Sequence, residues 1–184
     1  MSTTTAVLLI LVIGGLAAAA WFLIARRRTR QLRSRFGPEY EHAVHEFGTQ
    51  ARAEEALRKR EKRMERLPLH TLSREDSDRL ANRWQQLQVR FVDDPAASIR
   101  GADSLITEVM QTRGYPMTDF DRRTEDISVD HPVVVQNYRT AHEIALRHEN
   151  GQASTEDLRR ALVCYRDLFD EMIEAHEVGP RGVR

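Results

Sequence analysis

STEDLRRALVCYRDLFDEMI, residues Ser154–Ile173, is the stretch whose reading sets the fold class. Its apolar residues Leu158, Ala161, Leu162, Tyr165, Leu168, Phe169, Met172 and Ile173 recur at steps of three and four. That is the period of a helix with one apolar face. Ser154, with Asp157 three residues on, is a capping-box start. A helix with so wide an apolar face is stable in water only when that face is buried against other elements.

Working outward, the same period recurs upstream. Val134, Tyr138, Ala141, Ile144 and Ala145 mark a helix over Pro132–His148, with Asp130 read as its cap and Asn150-Gly151 as its stop. A short helix is read over Asp119–Ile127. Ala102, Leu105, Ile106, Val109 and Met110 mark Pro95–Arg113, capped by Asp94 and stopped by Gly114. Leu80, Trp84, Leu87 and Phe91 follow a cap at Ser73. Apart from Val133-Val134-Val135, β-branched runs are nearly absent. The reading is all-α: an antiparallel bundle of about four helices over residues 73–176. A tail at 177–184 with Gly179-Pro180 and Gly182 is expected to be disordered.

Residues 36–72 read as a charged helical stalk. Pro38–Phe47 and Gln50–Leu67 are its helices, the second carrying the i,i+4 pairs Glu54–Arg58 and Glu55–Lys59. Its apolar face, Ala53, Leu57, Met64 and Leu67, is too short for a coiled coil.

Residues 1–35 have another character. Ala6–Ala25, AVLLILVIGGLAAAAWFLIA, holds no charge, and Arg26, Arg27, Arg28, Arg30, Arg33 and Arg35 follow with no acid before Glu39. The expectation is a transmembrane anchor with a basic flank, single-pass in the plasma membrane, N-terminus outside and the rest cytoplasmic. The bilayer is then a partner. Gly14 and Ala18, and Gly15 and Ala19, give the helix a small face through which copies could self-associate. A cleaved signal peptide fits less well, because the charge follows the apolar run and Trp21–Ile24 continues it.

The formal net charge is zero, but it is divided unevenly. Residues 26–35 carry six arginines, and residues 67–184 carry fifteen bases against twenty-one acids. The acidic distal part argues against nucleic acid as a partner. The single cysteine, Cys164, excludes an internal disulfide.

The chemistry-bearing residues are weighed against plainer roles. His42 and His45 lie three apart on a helix but lack the HExxH order of a zinc site. Asp119–Asp130 lacks the ligands of a calcium loop at the fifth, sixth and twelfth positions. Cys164 reads as a small core residue rather than a nucleophile. Trp84, Phe91, Tyr138, Tyr165 and Phe169 read as core rather than a ligand pocket. No Walker motif, GxGxxG or CxxC occurs. No catalytic, cofactor-binding or metal residue is assigned, and no enzyme activity is expected. Tyr115, on a turn before Pro116, is the candidate partner or ligand surface.

The strings WQQLQVRFVDDP (84–95), RGYP (113–116), SVDHPVVVQNYRTAH (128–142) and STEDLRRALVCYRDLF (154–169) resemble a group of uncharacterised bacterial single-pass membrane-anchored helical proteins. The resemblance covers Phe36 to Ile173 and implies the architecture without an activity. The function expected from the whole is a membrane-tethered cytoplasmic interaction or scaffolding module for an unknown protein partner. The alternative is a small-molecule sensor with a pocket inside the bundle, marked by a cavity among Trp84, Tyr138 and Tyr165. A metal or thiol enzyme using His42 and His45 or Cys164 is the third class.

Overall fold

A computed structural model of the chain describes the backbone of residues 3–174 and the side chains of residues 12–174. Eight helices follow one another: α1 (Thr3–Phe36), α2 (Pro38–Phe47), α3 (Gln50–Met64), α4 (Arg74–Arg90), α5 (Pro95–Thr112), α6 (Phe120–Asp130), α7 (Val135–Glu149) and α8 (Thr155–Glu174). No strand occurs among the described residues. The fold is all-α, and the helical bundle read from Ser154–Ile173 is present. The chain divides into two compact units, Met1–Leu57 and Arg58–Arg184, so the division falls inside α3. The expected disordered tail, 177–184, lies outside the described residues.

Among the described residues, no helix is long and apolar enough to cross a membrane. This overturns the expected transmembrane anchor over 1–35, and with it the single-pass placement in the plasma membrane. The described apolar stretch of α1 runs from Val12 to Ala25, fourteen residues. Arg26 then begins the charged part. The first part of the expected span, Ala6–Leu11, lies outside the described side chains.

In the first unit, Gly37 (φ 46°) and Gly48 (φ 72°) take the left-handed backbone that ends one helix and starts the next. Leu32, Phe36, Tyr40, Ala43, Ala53 and Leu57 are buried. Glu54 joins the three helices. Its Oε1 accepts from the Thr29 hydroxyl (2.8 Å), the Tyr40 hydroxyl (3.1 Å) and the Gln50 amide (2.9 Å). A buried carboxylate keeps its charge only with such donors around it. Arg33 completes the corner, 5.0 Å over the Tyr40 ring and 3.4 Å from Glu41.

The second unit is the bundle. Ser73, Asp94 and Asp119 cap α4, α5 and α6 by accepting from the backbone N–H of Asp76, Ala97 and Arg122. Ser154 and Asp157 form the expected capping box of α8, each side chain accepting from the other's backbone N–H at 3.1 and 2.9 Å. Asp130 departs from the reading. It ends α6 instead of capping α7, which starts three residues later than expected, after Val134. Its carboxylate accepts the Tyr115 hydroxyl at 3.3 Å.

The helix directions follow from the contacts. Arg79 reaches Glu108 while Leu87 packs at Gly101, so α4 and α5 are antiparallel. Asn137 meets Asp167 and Arg147 meets Asp157, so α7 and α8 are antiparallel. By contrast, Asp103 meets Tyr165 and Arg113 meets the carbonyl of Met172, so α5 and α8 run parallel. Short loops force antiparallel order only on consecutive helices. α5 and α8 are not consecutive, and the bundle is therefore not antiparallel throughout. At Gly101, an added Cβ would lie 2.4 Å from Leu87 Cδ2. The missing side chain is what lets α4 come so close.

Candidate functional site

Among the described residues, a groove lies between α4 and α8. α4 contributes Ala81, Trp84, Gln85 and Gln88, spaced as one helix face. α8 contributes Arg166, Phe169, Asp170, Ile173 and Glu174, again one face. The groove has a volume of about 350 Å³ and opens to solvent. Its floor is the stacked pair Trp84 and Phe169, ring centroids 5.0 Å apart and tilted by 16°. Both are buried, whereas Gln85, Gln88, Asp170 and Glu174 on the walls are exposed. Burial and the neighbouring Asp167 push the Asp170 carboxyl up from its usual range, against the opposing pull of Arg166.

The interior aromatic residues form a second cluster. Tyr138 and Tyr165 are both 0 % exposed and meet edge to face at 6.2 Å. Tyr165 donates to Asp103 at 3.1 Å. Phe120 of α6 covers Tyr138 at 4.8 Å and stacks on His142 at 3.7 Å between centroids. Burial lowers the His142 pKa. Trp84, Tyr138 and Tyr165 are thus filled in by neighbouring rings.

Two charged clusters tie distant segments together. Arg63 reaches Asp126 with its Nε at 2.8 Å and Glu125 with its Nη2 at 2.9 Å. Asp126 is fully buried. Burial opposes ionisation of Glu125, but Arg122, Arg60 and Arg63 together hold it below the usual carboxylate range. Around the 113–116 turn, Arg113 Nη1 lies 3.2 Å from His131 Nε2 and donates to the Met172 carbonyl at 3.2 Å. His131 Nδ1 lies 3.3 Å from Glu171.

Tyr115 is the candidate surface residue that the structure removes from the surface. It is 3 % exposed, with its hydroxyl on Asp130 and the Arg113 guanidinium 5.8 Å from its ring centroid. Burial and Asp130 push its pKa up. An aromatic ring on a turn is here a plug that fastens the turn to the end of α6. The six arginines lie along the last turns of α1 and are exposed. Gly14, Gly15, Ala18 and Ala19 are exposed on the same helix, and nothing lies within 4 Å of a Cβ added at either glycine. His42 and His45 are both exposed, and no group of three metal-ligating side chains forms among the described residues. The Cys164 thiol is pushed up by burial and by Asp167, opposite to what a nucleophile needs.

Trp84 and Phe169 were legible as core, but the groove walls were not. The available signal was Asp170 and Glu174, like charges four apart at the C-terminal end of a helix that has no base in its last turn. No protein-family model matches the chain, and no curated protein or solved structure matches it.

Proposed function

We propose that the chain is a non-catalytic helical interaction module that receives a segment of a protein partner in the groove between α4 and α8. The observation that carries this reading is the aromatic floor. The stacked pair Trp84 and Phe169 lies at the bottom of an open groove, between walls of exposed polar side chains. Aromatic anchors inside a polar rim are the usual anatomy of a protein interface. The groove is walled by one face of each of two helices, a setting in which an amphipathic helix can dock. The filled interior around Tyr138 and Tyr165 favours this surface over a pocket for a small molecule.

The test is a photo-crosslinking amino acid at Gln88, on the groove wall, and a control at Glu149, exposed on α7. In its own cells, the full chain should give a discrete adduct from position 88 and none from 149. Equal adducts at both positions, or none at 88, would overturn the reading.

A further inference from the structure

Resting on that reading, we infer that the segment received by the groove is a cationic amphipathic helix, its lysines or arginines set against Asp170 and Glu174 and its apolar side chains over Trp84 and Phe169. Asp170 and Glu174 are four residues apart on one face of α8, where like charges repel. Within the described part of α8, no base lies in the turn that holds Glu174. Neither makes an ion pair among the described residues. Arg166, the one cation among the described residues of the groove, lies 3.6 Å from Asp167. A cation docked against the rim relieves the repulsion. The wider field agrees, since residues 67–184 carry twenty-one acids and fifteen bases, which steers cationic partners inward. The Gln85 and Gln88 amides on the opposite wall can hydrogen-bond whatever polar groups face α4.

The experiment uses the full chain and a fluorescent amphipathic peptide of leucine and lysine in helical repeat. Its counterpart carries glutamate at every lysine position. The lysine peptide should bind in a salt-dependent way, and the glutamate peptide should not. Asp170→Lys with Glu174→Lys should weaken binding about tenfold or more. Both sites are exposed, and lysines four apart repel as the acids do, so the melting temperature should hold. Loss of binding then cannot be ascribed to unfolding. Asp93→Lys with Glu149→Lys makes the same change in net charge at exposed sites away from the groove and should leave binding nearly unchanged. Failure of the lysine peptide to bind, equal binding of the glutamate peptide, or equal losses in both double variants would overturn the cationic partner. If the Gln88 adduct still forms in that case, the interaction reading stands and only the partner's chemistry falls. If the adduct is absent too, both fall.

Discussion

Arg113 and His131 meet with a guanidinium nitrogen 3.2 Å from an imidazole nitrogen, Nη1 to Nε2. A guanidinium has only donors, so Nε2 must offer its lone pair. The ring therefore carries its proton on Nδ1, which faces Glu171 at 3.3 Å. His131 is neutral in this arrangement and links the end of α5 to the last turn of α8. Burial, with Arg113 adding to it, holds its pKa below the ordinary histidine value, although Glu171 and Asp130 pull the other way.

The pH dependence follows. A histidine with a depressed folded pKa binds its proton more readily in the unfolded chain. Its contribution to stability is present above its unfolded value near 6.5 and is lost as pH falls through the folded one. Urea unfolding should show a midpoint that falls as the pH drops from about 7 through the unfolded value near 6.5. In His131→Gln that slope should flatten. A variant as pH-sensitive as the parent would show that another group carries the effect.

Arg63 and Asp126 are sixty-three residues apart in sequence and share two short contacts, 2.8 and 2.6 Å. Asp126 is buried. Removing one partner of a buried pair leaves the other charge without compensation, at a cost of about 3–5 kcal/mol. Asp126→Ala should destabilise by an amount in that range, with the loss softened where Arg63 can still use Glu125. Thermal unfolding by circular dichroism measures it, and a change under about 0.5 kcal/mol, the size of a surface substitution, would exclude a structural role for the pair.

Helix starts were legible because caps are local. Ser73, Asp94 and Ser154 bond to groups three residues away, and the sequence displays both partners. Asp130 was misread for the same reason. Its neighbours His131 and Pro132 imitate a helix entrance, while its actual partner, the Tyr115 hydroxyl, is fifteen residues away. The parallel run of α5 beside α8 was illegible too, because loop length constrains only consecutive helices. In the groove, Trp84 and Phe169 were readable as apolar positions. That they stack on each other, and so bring Gln88 and Asp170 into one groove, depends on how two helices eighty residues apart are paired.

Gly114 should tolerate no side chain. Its φ is +89°, a left-handed value, and an added Cβ would lie 2.8 Å from the Pro68 carbonyl oxygen. Backbone atoms cannot rotate away as a side chain can. The next residue is Tyr115, whose placement depends on this turn. Gly114→Ala should destabilise by about 1–3 kcal/mol, strain and clash acting together. Its unfolding midpoint gives the measure. A neutral result would mean that the Pro68 segment shifts freely and does not fix the turn.

Tyr138 and Tyr165 should respond oppositely to loss of their hydroxyls. Both rings are fully buried, and burial pushes both pKa values up. Tyr165 donates to the Asp103 carboxylate at 3.1 Å, a bond to a charged acceptor. Tyr165→Phe loses that bond and should cost about 1.5–3 kcal/mol. The Tyr138 hydroxyl is buried without a hydrogen-bond partner. Thr107, beside it, gives its own proton to the Asp103 carbonyl at 3.0 Å, and the lone pairs left on its oxygen lie outside hydrogen-bond geometry for the Tyr138 hydroxyl. Tyr138→Phe keeps the ring contacts with Phe120 and Tyr165 and removes an unsatisfied polar atom. It should be neutral or stabilising by up to about 1 kcal/mol. Urea denaturation of the two single variants compares them directly. A loss in Tyr138→Phe as large as that in Tyr165→Phe would mean that the Tyr138 hydroxyl has a partner in solution, and that this part of the interior holds a polar network that includes it.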